Sequence, residues 1–348
     1  MLHVLRRLAA PATLVLMLAS PALAQSITVV DEGGYEATFD GPVDRIVALN
    51  RYNTEFVRAV AGSDAIAGLD RDAWVDRDYW PEIGEEAVVA ANQGDIDYEK
   101  IVVQAPDLVI IPRNGAWQDA REKLAPFGIP VLVLTGWDVL KHEENITLLG
   151  TLTGEPERAA ELNAFYRKYI DLLAERTAGV EPVKVYFEAD RENVTVLKGS
   201  GWHDMIAAAG GTSLFGDVDV QSLPESSRNV NIYAVEPEDI ANANPDVVLR
   251  LTPAVLAAVP EADAKALLAQ VAARPALSDT EAVKSGRVYL MSYYVAGGVS
   301  KMIGALQLAK WLHPDRFADV DPDAVMTEWI EKWQGATYPG HHTWVIGQ

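Results

Sequence analysis

The sequence predicts an α/β protein with two Rossmann-like lobes, each built on a mostly parallel sheet, joined by one long spine helix. Three observations lead to this prediction. Apolar strands alternate with helical segments, one strand-opening motif occurs in both halves, and a long helical stretch lies between the halves. The length of 348 residues also favours two lobes, because chains beyond about 250–300 residues usually divide into more than one unit.

Residues 1–24 are typical of a secretory signal peptide. Arg6 and Arg7 supply the basic start, an apolar stretch follows, and residues 22–24 form a small-x-small cleavage site. We expect cleavage after Ala24 and export to the periplasm. A membrane anchor is the weaker alternative, because a span needs about 20 apolar residues and two prolines interrupt this stretch.

The composition excludes several classes of protein. The chain has no cysteine, which removes disulfides, thiolate chemistry and a lipid anchor at the cleavage site. The formal net charge of −21 repels nucleic acids and anionic membrane surfaces. We therefore expect a mature protein that is free in the periplasm, monomeric, without a lipid anchor or a membrane span, and without a nucleic-acid partner.

The predicted N-terminal lobe, residues 25–152, begins with a βα unit. Residues 45–49 form a short apolar run that predicts a strand. Asn53 and Thr54 are favourable caps for a helix over residues 55–61.

The predicted C-terminal lobe, residues 181–334, opens in the same way. A strand is expected at residues 183–188 and a helix at residues 202–209, which a Gly-Gly pair ends. Each half also closes with a strand that a glycine introduces, at residues 128–134 and 286–291.

A repeated motif relates the two halves. Glu99 and Glu238 each precede a Pro-Asp pair by seven residues. Each Pro-Asp pair then opens a continuous apolar run, which is typical of a strand buried on both faces of a parallel sheet. The repeat predicts two lobes of similar construction.

Residues 153–180 are predicted to form the interlobe spine helix. Pro156 suits the start of the helix, and Leu162 and Phe165 belong to an apolar set at helical spacing. Within this segment the helical stretch is Glu155 to Ala178, and at 1.5 Å per residue its roughly 24 residues are about 36 Å long. One stiff helix predicts limited closure around a cleft.

The tail, residues 335–348, has no regular period and is assigned no function.

Several short motifs follow one another in a fixed order. They are residues 45–49 with Asn53-Thr54-Glu55, the two Glu…Pro-Asp units, residues 198–202, residues 208–211 with Phe215, and residues 286–289. Their order resembles the iron-siderophore and cobalamin class of periplasmic solute-binding proteins of ABC importers, whose Fe/B12 periplasmic-binding domain has a single spine helix. The resemblance implies capture of a metal chelate, such as an iron(III)-siderophore complex, in the interlobe cleft. It also implies delivery to a permease dimer that works with a cytoplasmic ATPase.

The same resemblance implies a docking role for Glu99 and Glu238. In this class, one glutamate at the top of each lobe pairs with arginines of the permease. Two carboxylates related by a pseudo-twofold axis suit a twofold symmetric partner. The alternative is that each glutamate merely stabilises a helix N-terminus through the macrodipole.

Candidate ligand residues follow the predicted strands, because open α/β sheets bind ligands beyond the carboxyl ends of their strands. Aromatic faces cover flat or apolar ligands, and arginines pair with carboxylates, catecholates or oxyanions. Four such arginines in an acidic chain indicate an anionic ligand. The candidates are Arg51, Tyr52, Trp74, Arg113, Trp117, Trp137, Glu188, Arg191, Trp202, Arg250, Tyr293 and Tyr294; Trp74 and Trp80 lie where this class often places a lid.

Other ligands and functions stay open at this point. Molybdate or tungstate is the main alternative, and cobalamin or haem, with Tyr52 or His203 as an axial ligand, is another. The histidines, including His341 and His342, are scattered, so we expect no metal site in the protein and no resident cofactor. Catalytic motifs are absent, and Ser200 is predicted to cap a helix. We therefore expect a binding protein and not an enzyme, with a sensor or scaffold that does not transport as a third possibility.

Overall fold

The computed structural model describes residues 26–227, 229–252, 259–338 and 340–347. The predicted signal peptide, residues 1–24, lies outside the described residues. Within the described ranges, no helix combines the length and the apolar character needed to cross a bilayer.

The N-terminal half alternates short strands with helices. Its elements are β1 (Ile27–Val30), β2 (Glu36–Phe39), β3 (Ile46–Ala48), α1 (Arg51–Ala61), β4 (Ile66–Asp70), α2 (Arg71–Trp74), β5 (Val88–Asn92), β6 (Asp95–Ile96), α3 (Tyr98–Gln104), β7 (Leu108–Ile111), α4 (Trp117–Leu124), β8 (Val131–Val133) and α5 (His142–Thr153).

The C-terminal half follows a long helix, α6 (Pro156–Thr177). Its elements are β9 (Val183–Glu188), β10 (Val194–Thr195), α7 (Gly201–Ala208), β11 (Gly211–Ser213), β12 (Tyr233–Ala234), α8 (Pro237–Ala243), β13 (Val247–Thr252), α9 (Glu261–Ala273), α10 (Glu281–Lys284), β14 (Val288–Ser292), α11 (Tyr293–Ala296), α12 (Lys301–Leu312), α13 (Pro322–Glu328) and β15 (Thr343–Val345).

Each half contains its own sheet. The strand orders are β6-β5-β4-β3-β7-β8 and β11-β9-β13-β14-β15. Neighbouring strands are parallel except where β6 and β15 join the edges. The predicted α/β class with mostly parallel sheets is confirmed.

The two Pro-Asp pairs open strands in the middle of these sheets. Every residue of β7 and of β13 is buried, and each strand has a parallel neighbour on both sides. Helices covering both faces of a sheet explain why the two runs are apolar without alternation.

Hydrogen bonds repeat around the two Pro-Asp pairs. Asp107 and Asp246 accept from the backbone N–H groups of Arg45 and Lys184, at 3.0 and 3.1 Å. The side chains of Arg45 and Lys184 then donate to backbone carbonyls at the ends of α3 and α8, at 2.6 and 2.9 Å. In each motif, these hydrogen bonds connect one strand to the helix that precedes the neighbouring strand. The repeat in the sequence is therefore also a repeat in the structure.

Helix α1 begins earlier than the sequence predicts. Asn50, in a left-handed conformation with φ 78°, is the N-cap, and its side chain accepts from the backbone N–H of Tyr52. Asn53 is not a cap, because its side-chain amide lies inside the lobe and donates to the carbonyls of Leu49 and Leu134. Arg51 and Tyr52 consequently lie in the first turn of a helix and not in a loop.

The predicted long helix is confirmed as α6, whose 22 residues span about 33 Å. Pro156 occupies its first turn, and its buried residues include Leu162, Phe165 and Tyr166. The hydroxyl of Tyr166 donates to the carbonyl of Val299 at 2.9 Å. The helix is thus fixed by packing and by a hydrogen bond to the segment that precedes α12.

The C-terminal segment returns to the N-terminal lobe. A π-helical turn, Trp329–Trp333, continues α13, and the ring of Trp333 packs 5.9 Å from that of Phe165 on the spine. Arg58 of α1 donates to the carbonyl of Gln334 at 2.8 Å.

The tail also differs from the prediction, because β15 pairs with β14 and extends the second sheet.

Candidate ligand-binding cleft

A cavity of about 680 Å³ lies between the two lobes; we call it the cleft. Lining residues such as Asn50, Arg113, Ala189 and Tyr293 follow the carboxyl ends of strands in both sheets, as expected for open α/β sheets. Its volume is typical of a site for a small organic ligand. The described residues that line it are Asn50, Tyr52, Gln93, Arg113, Asn114, Trp137, Ala189, Asp190, Arg191, Gly199, Gly201, Trp202, Val230, Asn231, Ile232, Leu251, Tyr293, Gly297, Gly298 and Lys301.

Trp202 forms a rigid aromatic wall on the second lobe. Ser200 caps α7 by accepting from the backbone N–H of Trp202, which fixes the start of the helix. The indole N–H donates to the carbonyl of Ala296 at 2.8 Å. The indole ring stacks on Phe187 and meets Tyr293 edge to face, with centroids 5.7 and 5.2 Å apart.

Tyr52 makes a contact between the lobes at the floor of the cleft. Its ring lies directly on Gly298, where an added Cβ would come within 2.0 Å of the ring carbons. Gly298 also has φ +48°, which favours glycine. The two lobes approach this closely because a residue without a side chain faces the tyrosine.

The cleft carries an excess of cationic side chains. Arg113 comes from the first lobe, where it pairs with Asp138 and lies 4.2 Å from the centroid of the Trp137 ring. Arg191 comes from the second lobe and its side chain is 60% exposed. Among the described residues, Asp190 is the carboxylate that lines the cleft beside these cations.

Lys301 is the third cation and the one the sequence analysis missed. It is only 7% exposed, and its ammonium donates to the carbonyl of Trp137 at 3.3 Å. Burial lowers the pKa of Lys301 to about 8, although Asp138 and Asp204 oppose the shift. In the sequence it is the first residue of α12, a helix whose other residues are mostly apolar.

The twelve predicted ligand residues divide into two groups by position. One group lines the cleft and consists of Tyr52, Arg113, Trp137, Arg191, Trp202 and Tyr293. The other group lies elsewhere in the structure and consists of Arg51, Trp74, Trp117, Glu188, Arg250 and Tyr294.

Arg51 and Tyr294 belong to a buried cluster beneath the cleft. The guanidinium of Arg51 lies 4.8 Å from the centroid of the Tyr294 ring. The hydroxyls of Tyr294 and Tyr79 donate to Glu55, at 3.3 and 3.1 Å. Burial raises the pKa of the Glu55 carboxyl, with the nearby charge of Arg51 opposing the shift. Both predicted residues therefore lie outside the cleft lining.

Glu188 and Arg250 form an internal ion-pair network. The Glu188 carboxylate is fully buried and accepts two hydrogen bonds from Arg274, at 2.8 and 2.9 Å. The Tyr186 hydroxyl and the Asn193 backbone N–H also donate to it, and the Nε atom of Arg250 lies 3.5 Å away. Glu188 is therefore satisfied inside the lobe, and it does not belong to the cleft lining.

The tryptophans predicted in a lid and after β7 pack into the first lobe. Trp74 and Trp80 are buried, and their indole N–H groups donate to the carbonyls of Ile83 and Ala73. Trp117 is half-buried and lies beside Arg121, 4.8 Å from the guanidinium to the ring centroid. Trp74 and Trp80 are therefore core residues, and Trp117 packs against the edge of the core.

The described residues do not contain a cluster of three or more potential metal ligands. His203 lies beside Asp204, 3.6 Å from Nδ1 to the carboxylate, and away from the cleft lining. His342 is buried and its Nδ1 is 2.8 Å from the Ser292 hydroxyl. The arrangement suits recognition of a whole ligand through aromatic and charged groups.

Glu99 and Glu238 occupy equivalent places in the repeat. Each is the second residue of a seven-residue helix, α3 or α8, and both are exposed. Each helix ends in a left-handed residue, Ala105 or Asn244, before its Pro-Asp pair. Two accessible carboxylates are thus presented in the same local setting, one on each lobe.

A family model described as periplasmic binding protein matches residues 46–294 of the chain. The chain belongs to this family. Members of the family bind solutes and are not enzymes, and this periplasmic binding protein is accordingly a binding protein.

Solved structures share the fold of this periplasmic binding protein. A TroA-like periplasmic binding protein, FepB, from Veillonella parvula superposes with a TM-score of 0.78 at 23% identity, covering 92% of this chain and all of the other. The molybdate periplasmic binding protein MolA from Haemophilus influenzae, bound to molybdate, gives a TM-score of 0.69 at 18% identity and covers 89% and 98% of the two chains. At these identities the likeness shows the fold alone.

A curated relative is named vitamin B12-binding protein, from Vibrio campbellii. It is 26% identical over 182 residues, which cover 52% of this periplasmic binding protein and 64% of the relative. The chain thus matches slightly less than two thirds of the length of that relative.

Proposed function

We propose that this periplasmic binding protein is the substrate-binding component of an ABC importer. In this proposal, it captures an anionic metal chelate of the iron(III)-siderophore type between its lobes and delivers the chelate to a membrane permease. The protein acts in the periplasm, after removal of residues 1–24.

The observation that carries this proposal is the charge of the cleft. Arg113, Arg191 and Lys301 line it together with Asp190, and Arg113 also pairs with Asp138, which leaves three cations against two carboxylates. The whole chain, in contrast, has a formal net charge of −21. A cationic site in an acidic body attracts an anionic ligand and binds it through charge-assisted hydrogen bonds. A nearly neutral ligand such as cobalamin makes little use of three cations.

The aromatic lining favours a chelate over a bare oxyanion. Tyr52, Trp137, Trp202 and Tyr293 all line the cleft, and flat aromatic faces contribute by covering apolar or conjugated parts of a ligand. A volume of about 680 Å³ also exceeds what a tetrahedral oxyanion fills. Molybdate and tungstate remain the principal alternative, in view of the fold shared with the molybdate-binding protein of Haemophilus influenzae.

Delivery is proposed to use Glu99 and Glu238. Their exposure and equivalent places at the starts of α3 and α8 support docking to a twofold symmetric permease, because each lobe presents the same group. The ATPase that drives import is assigned to the cytoplasmic side of that permease.

Calorimetric titration of the mature protein tests the proposed ligand. The panel consists of ferric and metal-free siderophores, haem, cobalamin, molybdate and tungstate. We expect submicromolar binding of a ferric chelate, weakened about tenfold or more by Arg191→Ala, because a hydrogen bond to a charged group contributes about 1.5–3 kcal/mol. Trp202→Ala is expected to weaken binding as well.

Arg167→Ala is the matched control for the arginine variant. Arg167 is an arginine of similar exposure on the spine helix, outside the cleft lining, and its removal should leave the affinity unchanged. Tight binding of molybdate or of cobalamin, with no binding of any ferric chelate, would contradict the proposal.

A further inference from the structure

A second cavity, of about 560 Å³, adjoins the cleft beside the spine helix; we call it the side groove. Its walls come from α6, α7 and α12 and from the loop that precedes α5. The side groove is lined mainly by aliphatic and thioether side chains, including Leu140, Ile170, Leu173, Met205 and Met302. In chemistry it therefore differs from the cleft.

The side groove and the cleft share a wall. Arg113, Trp137, Gly199, Gly201 and Lys301 line both cavities. Gly201 makes room for the lysine at this junction, since an added Cβ would lie 2.2 Å from the Lys301 ammonium. One ligand that lies across the shared wall meets polar groups at one end and apolar groups at the other.

The mouth of the side groove exposes apolar surface to water. The side chains of Leu140 and Ile170 are 87% and 40% exposed, and Ala174 and Ala208 are exposed lining residues on α6 and α7. Large apolar side chains gathered around a concave surface are typical of a binding site. Methionines such as Met205 and Met302 adapt their shape to flexible aliphatic partners.

We propose that the side groove is a second subsite of the same ligand: it holds an aliphatic acyl arm of the chelate whose anionic head lies in the cleft. The inference rests on the proposed function and deepens it, because it names the ligand as an amphiphile. The cations at the shared wall, Arg113 and Lys301, hold the head, and the aliphatic lining removes the arm from water.

Two ferric chelates with the same metal-binding head, one carrying a dodecanoyl arm and one without it, test this inference. Each methylene removed from water contributes up to about fourfold in affinity, so partial burial of the arm predicts at least about tenfold tighter binding of the acylated chelate. Calorimetry of the mature protein with both chelates measures the ratio of the two dissociation constants.

Neighbouring alanines on α7 provide matched variants. Ala208 and Ala207 are both exposed, but only Ala208 belongs to the lining of the side groove. Ala208→Trp fills the groove and should abolish the advantage of the acylated chelate while leaving the affinity for the other chelate unchanged. Ala207→Trp should preserve the advantage. Ala174→Trp, on the facing spine helix, is a second filling variant with the same expectation if Ala208→Trp does not fold.

The outcomes separate this inference from the proposed function. Equal affinity for the two chelates overturns the acyl subsite and leaves the proposed function in place. Failure of both chelates to bind overturns both. Dodecanoate alone binding as tightly as the acylated chelate also overturns the inference, because the ligand would then be a free fatty acid with no contribution from a chelating head.

Discussion

The carboxylate of Glu188 is a buried charge that two arginines and two other donors satisfy. Glu188→Ala removes the buried carboxylate that Arg274 and Arg250 share, and breaking a buried pair in this way costs about 3–5 kcal/mol. We expect a loss of that size in the free energy of unfolding, measured by urea denaturation.

Glu192 supplies the control for Glu188. It also lies near Arg274, at 3.6 Å, but its side chain is 61% exposed, and exposed ion pairs contribute about 0–1 kcal/mol. Glu192→Ala should therefore be close to neutral. Similar losses for both variants would show that the network around Glu188 is not the source of the stability.

Lys301 makes ligand affinity depend on pH in a defined direction. Its pKa is about 8, below its ordinary value, so the ammonium is charged at pH 7 and loses its proton as the pH rises through 8. The phenols nearby, Tyr52 and Tyr293, have raised pKa values and stay neutral. Affinity for an anionic ligand should fall about tenfold between pH 7 and pH 9.5, because a charge-assisted hydrogen bond is lost.

The matching variant is Lys301→Arg, whose guanidinium keeps its charge throughout this range. Calorimetric titration of both proteins at each pH separates titration of the side chain from titration of the ligand. The fall should be much smaller in the variant, and equal falls in the two proteins would mean that Lys301 does not hold the anion.

Sequence patterns locate the edge of the sheet where the site lies, but not the direction of each side chain. Both Arg191 and Arg250 are predicted to follow strands of the second lobe. Arg191 does follow β9 and lines the cleft, whereas Arg250 lies within β13 and faces Glu188. The difference depends on a partner 62 residues away in the chain, and no local pattern reports it. Lys301 was missed because it follows a helix, and a rule based on strand ends does not reach it.

At the scale of elements, the spine helix packs against both halves of the protein. Leu162 lies in the N-terminal half of this helix and is fully buried. Leu162→Ala should lower the free energy of unfolding by about 2–5 kcal/mol, through lost apolar burial and the cavity that remains. Thermal and urea unfolding measure the loss.

Glu161→Ala provides the matched comparison on the same helix. Glu161 precedes Leu162 and is exposed, and alanine has a helix propensity at least as favourable as that of glutamate. We expect little change in stability. A comparable loss at the two positions would show that the buried packing of Leu162 is not the source of the lost stability.

Elements with a strong internal period could be predicted, and elements held by distant partners could not. Strand β9 and helix α6 were expected almost at their observed bounds, since a buried apolar run and a long helical period each carry their own signal. Strand β15 has three residues and exists because β14 leaves an edge to pair with. Helix α1 began early because Asn50, and not Asn53, adopts the capping conformation.

At the scale of the whole molecule, charge and symmetry support different roles for the outer surface and for the cleft. The body is acidic, with a formal net charge of −21, whereas cations line the cleft between the lobes. In the proposed function, the acidic surface meets the permease and the cleft meets an anionic ligand. The C-terminal segment that packs on both the spine and α1 limits the hinge, which predicts a small closing motion.

Docking through Glu99 and Glu238 is the prediction that distinguishes a transporter component from a protein that only binds. The double variant Glu99→Ala, Glu238→Ala should lower ligand uptake in a reconstituted importer about tenfold or more while leaving ligand affinity unchanged, because both side chains are exposed on α3 and α8 and lie outside the cleft lining. Removing exposed carboxylates at Glu122 and Glu157 matches the change in net charge. If that control lowers uptake equally, the acidic body as a whole steers docking, and if neither variant does so, the two glutamates are simply favourable residues at helix N-termini.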